Sequence, residues 1–148
     1  MAYAESAAGQ TAAQNYLYEM QNIDNRVALR LARLDAFREK NRQIVRSLYA
    51  DGDVPGQEEI TARLTEMETE LRAEYHALLE RRKQTKETIR RIPNETQRTV
   101  LEMRYIEGLP FFRIAMAMNY DERTVYRLHR KALTRTALYL LESGQIEA

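Results

Sequence analysis

Arg123, Thr124 and Arg127 carry the most specific chemistry this chain offers. A guanidinium can donate two parallel hydrogen bonds to the edge of one guanine, and a threonine hydroxyl can bond a base edge. At the start of a helix, these residue types suit base reading in the major groove of duplex DNA. Around them, Arg113, Tyr126, Arg130 and Lys131 have the charge or hydroxyl to hold phosphate oxygens, contacts that position a protein without specifying sequence. Glu122 can accept from cytosine, although an acid at a helix start also complements the helix dipole. Other chemistry is scarce. With no cysteine there is neither a disulfide framework nor a thiolate. His76 and His129 are too far apart in sequence to suggest zinc. Asp51 and Asp53 are spaced like the first two ligands of a calcium loop, but Ala62 stands where the bidentate glutamate belongs. The five glycines form no phosphate-binding run, and no Ser-His-Asp pattern is present. Neither an enzyme nor a bound cofactor or metal is expected.

Helices must position these side chains. Residues 93–108 open with Pro93 and close with Gly108, and Val100, Leu101, Arg104 and Tyr105 fall at helical spacing. After Gly108-Leu109 a second helix of about eight residues turns Phe111, Ile114, Ala115 and Met118 inward, with the small Ala115 allowing close approach of a crossing helix. Asn119-Tyr120-Asp121 suits a sharp bend: Asn119 tolerates the left-handed conformation that ends a helix, and Asp121 is a good N-cap. The last helix buries Val125, Leu128 and Ala132 and presents Arg123, Tyr126, Arg127 and Arg130. The predicted core of this helix-turn-helix is therefore Ile114, Ala115, Val125 and Leu128, with Tyr105, Tyr120 and His129 assigned to packing or turns.

Charge is distributed unevenly. Residues 81–136 hold 14 Lys+Arg against 6 Asp+Glu, net +8, whereas residues 1–80 hold 9 against 14 and the tail from 137 carries two acids. A basic segment coinciding with such a motif is the electrostatic footprint of phosphate contact.

The run Ile92-Pro93, Gln97-Arg98, Val100-Leu101, Arg104-Tyr105, Glu107-Gly108-Leu109, Ile114-Ala115, Thr124-Val125 and Leu128 to Leu133 resembles region 4 of the sigma-70 family of transcription initiation factors. It is similar to the small region-4-like regulators of phages and prophages of Gram-positive bacteria, which place a long helical segment before this domain. The resemblance implies DNA binding, transcription control of phage or mobile-element genes, and contact with RNA polymerase. Pro110, Phe111 and Phe112 depart from the family's usual capping and polar residues, which leaves Phe111 or Phe112 available to a protein partner.

The first half reads as a long antiparallel helical hairpin. Steps of three and four link Leu17, Met20, Asp24, Val27, Leu31 and Leu34, then Arg38, Asn41, Val45 and Leu48, a coiled-coil seam with polar interruptions. The turn-forming residues of 50–57 break it, and Ile60, Leu64, Met67, Leu71, Tyr75 and Leu78 mark the returning helix. Two such helices bury one narrow seam, so a homodimer or other homo-oligomer is expected, with Ile23, Phe37 and Ile44 as the surface for it. The expected architecture is all-α: a flexible N-terminus over 1–12, a hairpin over 13–91, a helix-turn-helix over 92–136 and a tail over 137–148. No segment reads as a membrane span or secretory signal, so a cytoplasmic location is expected. Double-stranded DNA is the expected partner. Two further readings stay open: a small terminase-like DNA-packaging recognition subunit, and a coiled-coil adaptor that does not bind DNA.

Overall fold

The computed structural model describes residues 2–50, Gly52 and residues 54–148, the side chain of Gln21 excepted. Asp51 and Asp53, the two acids of the rejected calcium loop, lie outside the described residues. The fold is all-α among them: α1 (Ala2–Glu5), α2 (Ala7–Leu48), α3 (Gln57–Arg90), α4 (Glu95–Leu101), a π-helical turn (Glu102–Ile106), α5 (Phe111–Met118) and α6 (Glu122–Glu142). No helix is long and apolar enough to cross a membrane among the described residues. The chain divides into two compact units, Asp24–Arg81 and the remainder, Met1–Ile23 with Arg82–Ala148.

In the unit Asp24–Arg81, ion pairs join apolar side chains along the seam between α2 and α3. Arg30 Nη1 lies 3.2 Å from Glu74 Oε2, and Arg38 Nε donates to Glu68 Oε1 at 2.9 Å. Asn41 Nδ2 donates to the other Glu68 oxygen, and Arg72 closes on Glu68 from its own helix at 3.0 Å. The Arg38 hydrogen bond, then the charges of Arg38 and Arg72, hold the Glu68 carboxyl below the usual carboxylate range against its desolvation. As α2 ascends from Arg30 to Asn41, its partners on α3 step back from Glu74 to Glu68. This pairing corrects the expected seam. Thr61 and Glu68 take the inward places, while Ile60 and Met67 remain 45% and 42% exposed. Steps of three and four from Thr61 through Leu64, Glu68, Leu71 and Tyr75 to Leu78 place the ion-paired glutamate in the seam, which sets Met67 one residue outside it. On α2, Val27, Leu34, Arg38, Asn41, Val45 and Leu48 keep their expected inward register, whereas Leu31 is exposed. The connecting turn is closed by Gln57, whose Nε2 donates to Leu48 O and Gly52 O.

The other unit builds its core from both ends of the chain. Ala4, Ala13 and Leu17 pack with Ile89, Ile92, Leu101, Tyr105, Ala132, Leu133, Ala137 and Leu140. Within the N-terminal segment expected to fray, residues 2–12 are helical apart from a bend at Ser6 and bury Ala4 completely. Ser6 shapes that bend: its hydroxyl donates to Tyr3 O and accepts from Gly9 N–H. A Cβ at Gly9 would come within 2.0 Å of Tyr3 O, so only glycine permits the close approach. The first half of the expected C-terminal tail is also helix, because Ala137 and Leu140 extend the buried stripe from Leu133, and α6 runs to Glu142. Ile23, expected as docking surface, is buried.

Candidate nucleic-acid interface

Residues 94–142 are held by capping and by a second small core. Asn94 caps α4 by accepting from Gln97 N–H at 2.9 Å. The chain then widens into a π turn, with Glu107 N–H bonding Glu102 O across five residues. Val100 enters the cluster with Ile114, Ala115 and Val125, and Leu101 and Tyr105 enter the larger core. One sequence stripe thus serves two cores. Gly108 leaves the π turn at φ 74, and Pro110 stands as an N-cap without a side-chain bond before α5.

Asn119 ends α5 in the left-handed region (φ 59, ψ 43), and Tyr120 N–H returns to Ala115 O. Asp121 then starts α6, accepting from Thr124 N–H at 2.7 Å. Hydrogen bonds from the Thr124 side chain and backbone hold the Asp121 carboxyl below its ordinary range, with Arg123 and Arg127 adding smaller attractions. Val125 is fully buried, which fixes the rotation of α6. Ile114 and Ala115 are buried with it, and Leu128 is half-buried against them.

That rotation brings Arg123, Arg127 and Arg130 onto one exposed stripe at spacings of four and three, with exposed Lys131 on its flank. Thr124 is half-buried and its backbone N–H is engaged by the Asp121 cap, so Arg123 and Arg127 are the more exposed of the three candidate residues. Arg113 is exposed on α5, its guanidinium 5.8 Å from the Phe112 ring centroid. Tyr126, 42% exposed, leans on Phe111 with ring centroids 4.7 Å apart.

Beneath this surface lies an aromatic layer only partly legible in the sequence. Phe111 is half-buried, with the Arg104 guanidinium 4.4 Å above its ring and the His129 ring 4.9 Å away. Arg104 also donates to Leu109 O and to the Tyr18 hydroxyl. His129 is buried, and its Nε2 lies 2.7 Å from Tyr105 Oη. Burial, helped by the charges of Arg104 and Arg130, pushes the His129 imidazole down to about 4, so at neutral pH it is uncharged, and its tautomer sets which partner of the Tyr105 bond donates. Burial and the neighbouring Tyr18 push the Tyr105 phenol up. The packing roles expected of Tyr105 and His129 match these positions. Tyr120 is exposed in the turn.

The net charge is less focused on this surface than expected. Residues 92–136 hold eight Lys+Arg against five acids, while residues 81–91 hold six against Glu87 alone, so the end of α3 carries the larger excess. Among the described residues no group of three His, Cys, Asp or Glu side chains is placed to hold a metal ion.

An all-helical chain with a capped basic helix set across a tight turn is the class these observations define. The chain belongs to the family described as Protein of unknown function (DUF1492), whose pattern matches residues 42–137. Comparison with curated proteins and with solved structures gives no match.

Proposed function

We propose that this protein is a sequence-specific duplex-DNA-binding regulator of transcription, acting in the cytoplasm on phage or mobile-element genes. In this reading α5, the Asn119–Asp121 turn and α6 form a region-4-like helix-turn-helix, preceded by an antiparallel hairpin of α2 and α3. The N-terminal part of α6 enters the major groove. Arg123 and Arg127 read base edges, joined by the methyl and hydroxyl of Thr124, while Arg113, Tyr126, Arg130 and Lys131 hold phosphates. No catalytic step is assigned.

The single observation that carries the reading is the exposed arginine stripe on a helix whose start is fixed by Asp121 and whose opposite face is locked by Val125. The test is a titration of duplex DNA over a range of salt. A log-log slope corresponding to several released counterions, reduced by about 0.9 when Arg130 or Lys131 is replaced by alanine, supports it. Binding absent at low salt rejects it.

A second reading is favoured by α5, where Phe112 and Met116, one turn apart, are 51% and 75% exposed. Such a face suits a protein contact, either RNA polymerase beside DNA or, in place of DNA, an adaptor's partner. Lack of any salt-dependent DNA affinity together with protein capture through Phe112 would favour the adaptor.

A further inference from the structure

We infer that the unit Asp24–Arg81 pairs with a second copy of itself through one apolar flank, with α2 of each copy lying on α3 of the other. The inference does not depend on DNA binding.

The register comes from the Arg30–Glu74 ion pair. Seven residues along α2 from Arg30 is Phe37, and seven back along α3 from Glu74 is Met67; a further seven reach Ile44 and Ile60. Heptad spacing keeps each row on one side of its helix, so these residues form a single flank beside the seam. Ile44, Ile60 and Met67 are 39%, 45% and 42% exposed, and Phe37 is half-buried. On the other flank the corresponding positions hold Asp35, Arg42, Thr65 and Arg72, which are polar. Among the described residues, only Leu34 and Leu78 of this unit's apolar side chains are buried. A thin helical pair with so little core needs more buried area than it contains.

A second copy supplies both area and charge balance. Twenty-five residues of paired helix give a face of about 37 by 20 Å, or about 1,500 Å² over two copies, which lies within the range of stable interfaces. Within the unit, α2 carries seven Lys+Arg against three acids, and α3 over 57–80 carries seven acids against two arginines. Rotation about a twofold axis parallel to the helices lays basic on acidic helices at both contacts, whereas the perpendicular axis lays like on like. The favoured axis places both turns at the same end and brings Ile44 of one copy to the level of Ile60 of the other.

Sedimentation equilibrium of the full chain should return twice the 17.4 kDa chain mass across a dilution series. Ile60→Lys with Met67→Lys should return the single-chain mass while far-ultraviolet circular dichroism keeps its helical signal. Leu29→Lys, 68% exposed and away from this flank, should stay dimeric. If the lysine pair loses helix, Ile60→Ala with Met67→Ala should still weaken dimerisation at least tenfold. Because the chain has no cysteine, Ile44→Cys chains mixed with Ile60→Cys chains should form disulfide-linked dimers faster than either alone. A monomeric wild type, a dimer indifferent to Ile60 and Met67, or no gain from mixing overturns the inference.

Discussion

Acid should weaken the C-terminal core through one group, His129. Its imidazole is buried, bonded to Tyr105 and held down to about 4, against about 6.5 for an ordinary histidine. A depressed value means that the unfolded chain takes up the proton first. The stability contributed by keeping this group neutral is therefore complete above pH 6.5, falls as pH drops, and is lost by pH 4. At 1.36 kcal/mol per unit, the loss between pH 7.5 and 4.5 is about 2.5 kcal/mol, a sizeable share of the 5–15 kcal/mol that holds an ordinary domain. Carboxylates such as Asp121 and Glu68, whose values are lowered, also lose stabilising interactions in acid, so wild-type data alone do not isolate the histidine. Tyr105→Phe with His129→Leu removes both polar partners and leaves neither unsatisfied. Urea denaturation followed by circular dichroism should show the double variant losing about 2.5 kcal/mol less than wild type over that pH interval. In parallel, the histidine NMR signal assigned with a His76 variant should show His129 neutral until about pH 4. An unchanged pH dependence in the double variant, or protonation of His129 near 6.5 in the folded chain, would refute the reasoning.

Three further outcomes follow from the same geometry. Arg127→Ala should cost about 1–3 kcal/mol on the preferred duplex and relax specificity at one position, measured by competition between sites; equal weakening on every sequence would reassign it to phosphate. Val125→Asp forfeits about 1.5–3 kcal/mol of apolar burial and adds the cost of an unpaired buried charge, so the thermal transition of the C-terminal unit should disappear, and native melting would remove Val125 from the core. Gly9→Ala should release residues 2–6 from α6, seen as early proteolytic cleavage there, because the added methyl meets Tyr3 O; unchanged cleavage would contradict that packing.

Local chemistry was the legible part of the fold. Asn119 in the left-handed region and Asp121 as a cap follow from their own preferences, and both stand where residue type alone places them. Ile114, Ala115 and Val125 likewise follow from helical spacing. The arginines of α6 were read from that same spacing, and Arg123, Arg127 and Arg130 are exposed. Long-range effects stayed hidden. The ion pair that draws Glu68 into the seam depends on Arg38, thirty residues away, so an apolar rule placed Met67 inside. Ala4, Gly9 and Ala13 look like a frayed alanine-rich end because their value is close approach to another helix, which has no periodic signature. The π turn at Glu102–Ile106 lets neighbouring residues serve two cores, and nothing in its sequence announces the extra residue.

The most direct test of the central claim is selection of targets from a random duplex pool by the purified full chain at near-physiological salt, run beside Arg123→Ala with Arg127→Ala. The account predicts a defined enriched element with wild type and its loss with the variant. An inverted repeat would indicate two reading units on one site, and a single asymmetric element one unit acting as a region-4 domain does. No enrichment, or the same enrichment with both arginines removed, would contradict DNA reading by α6.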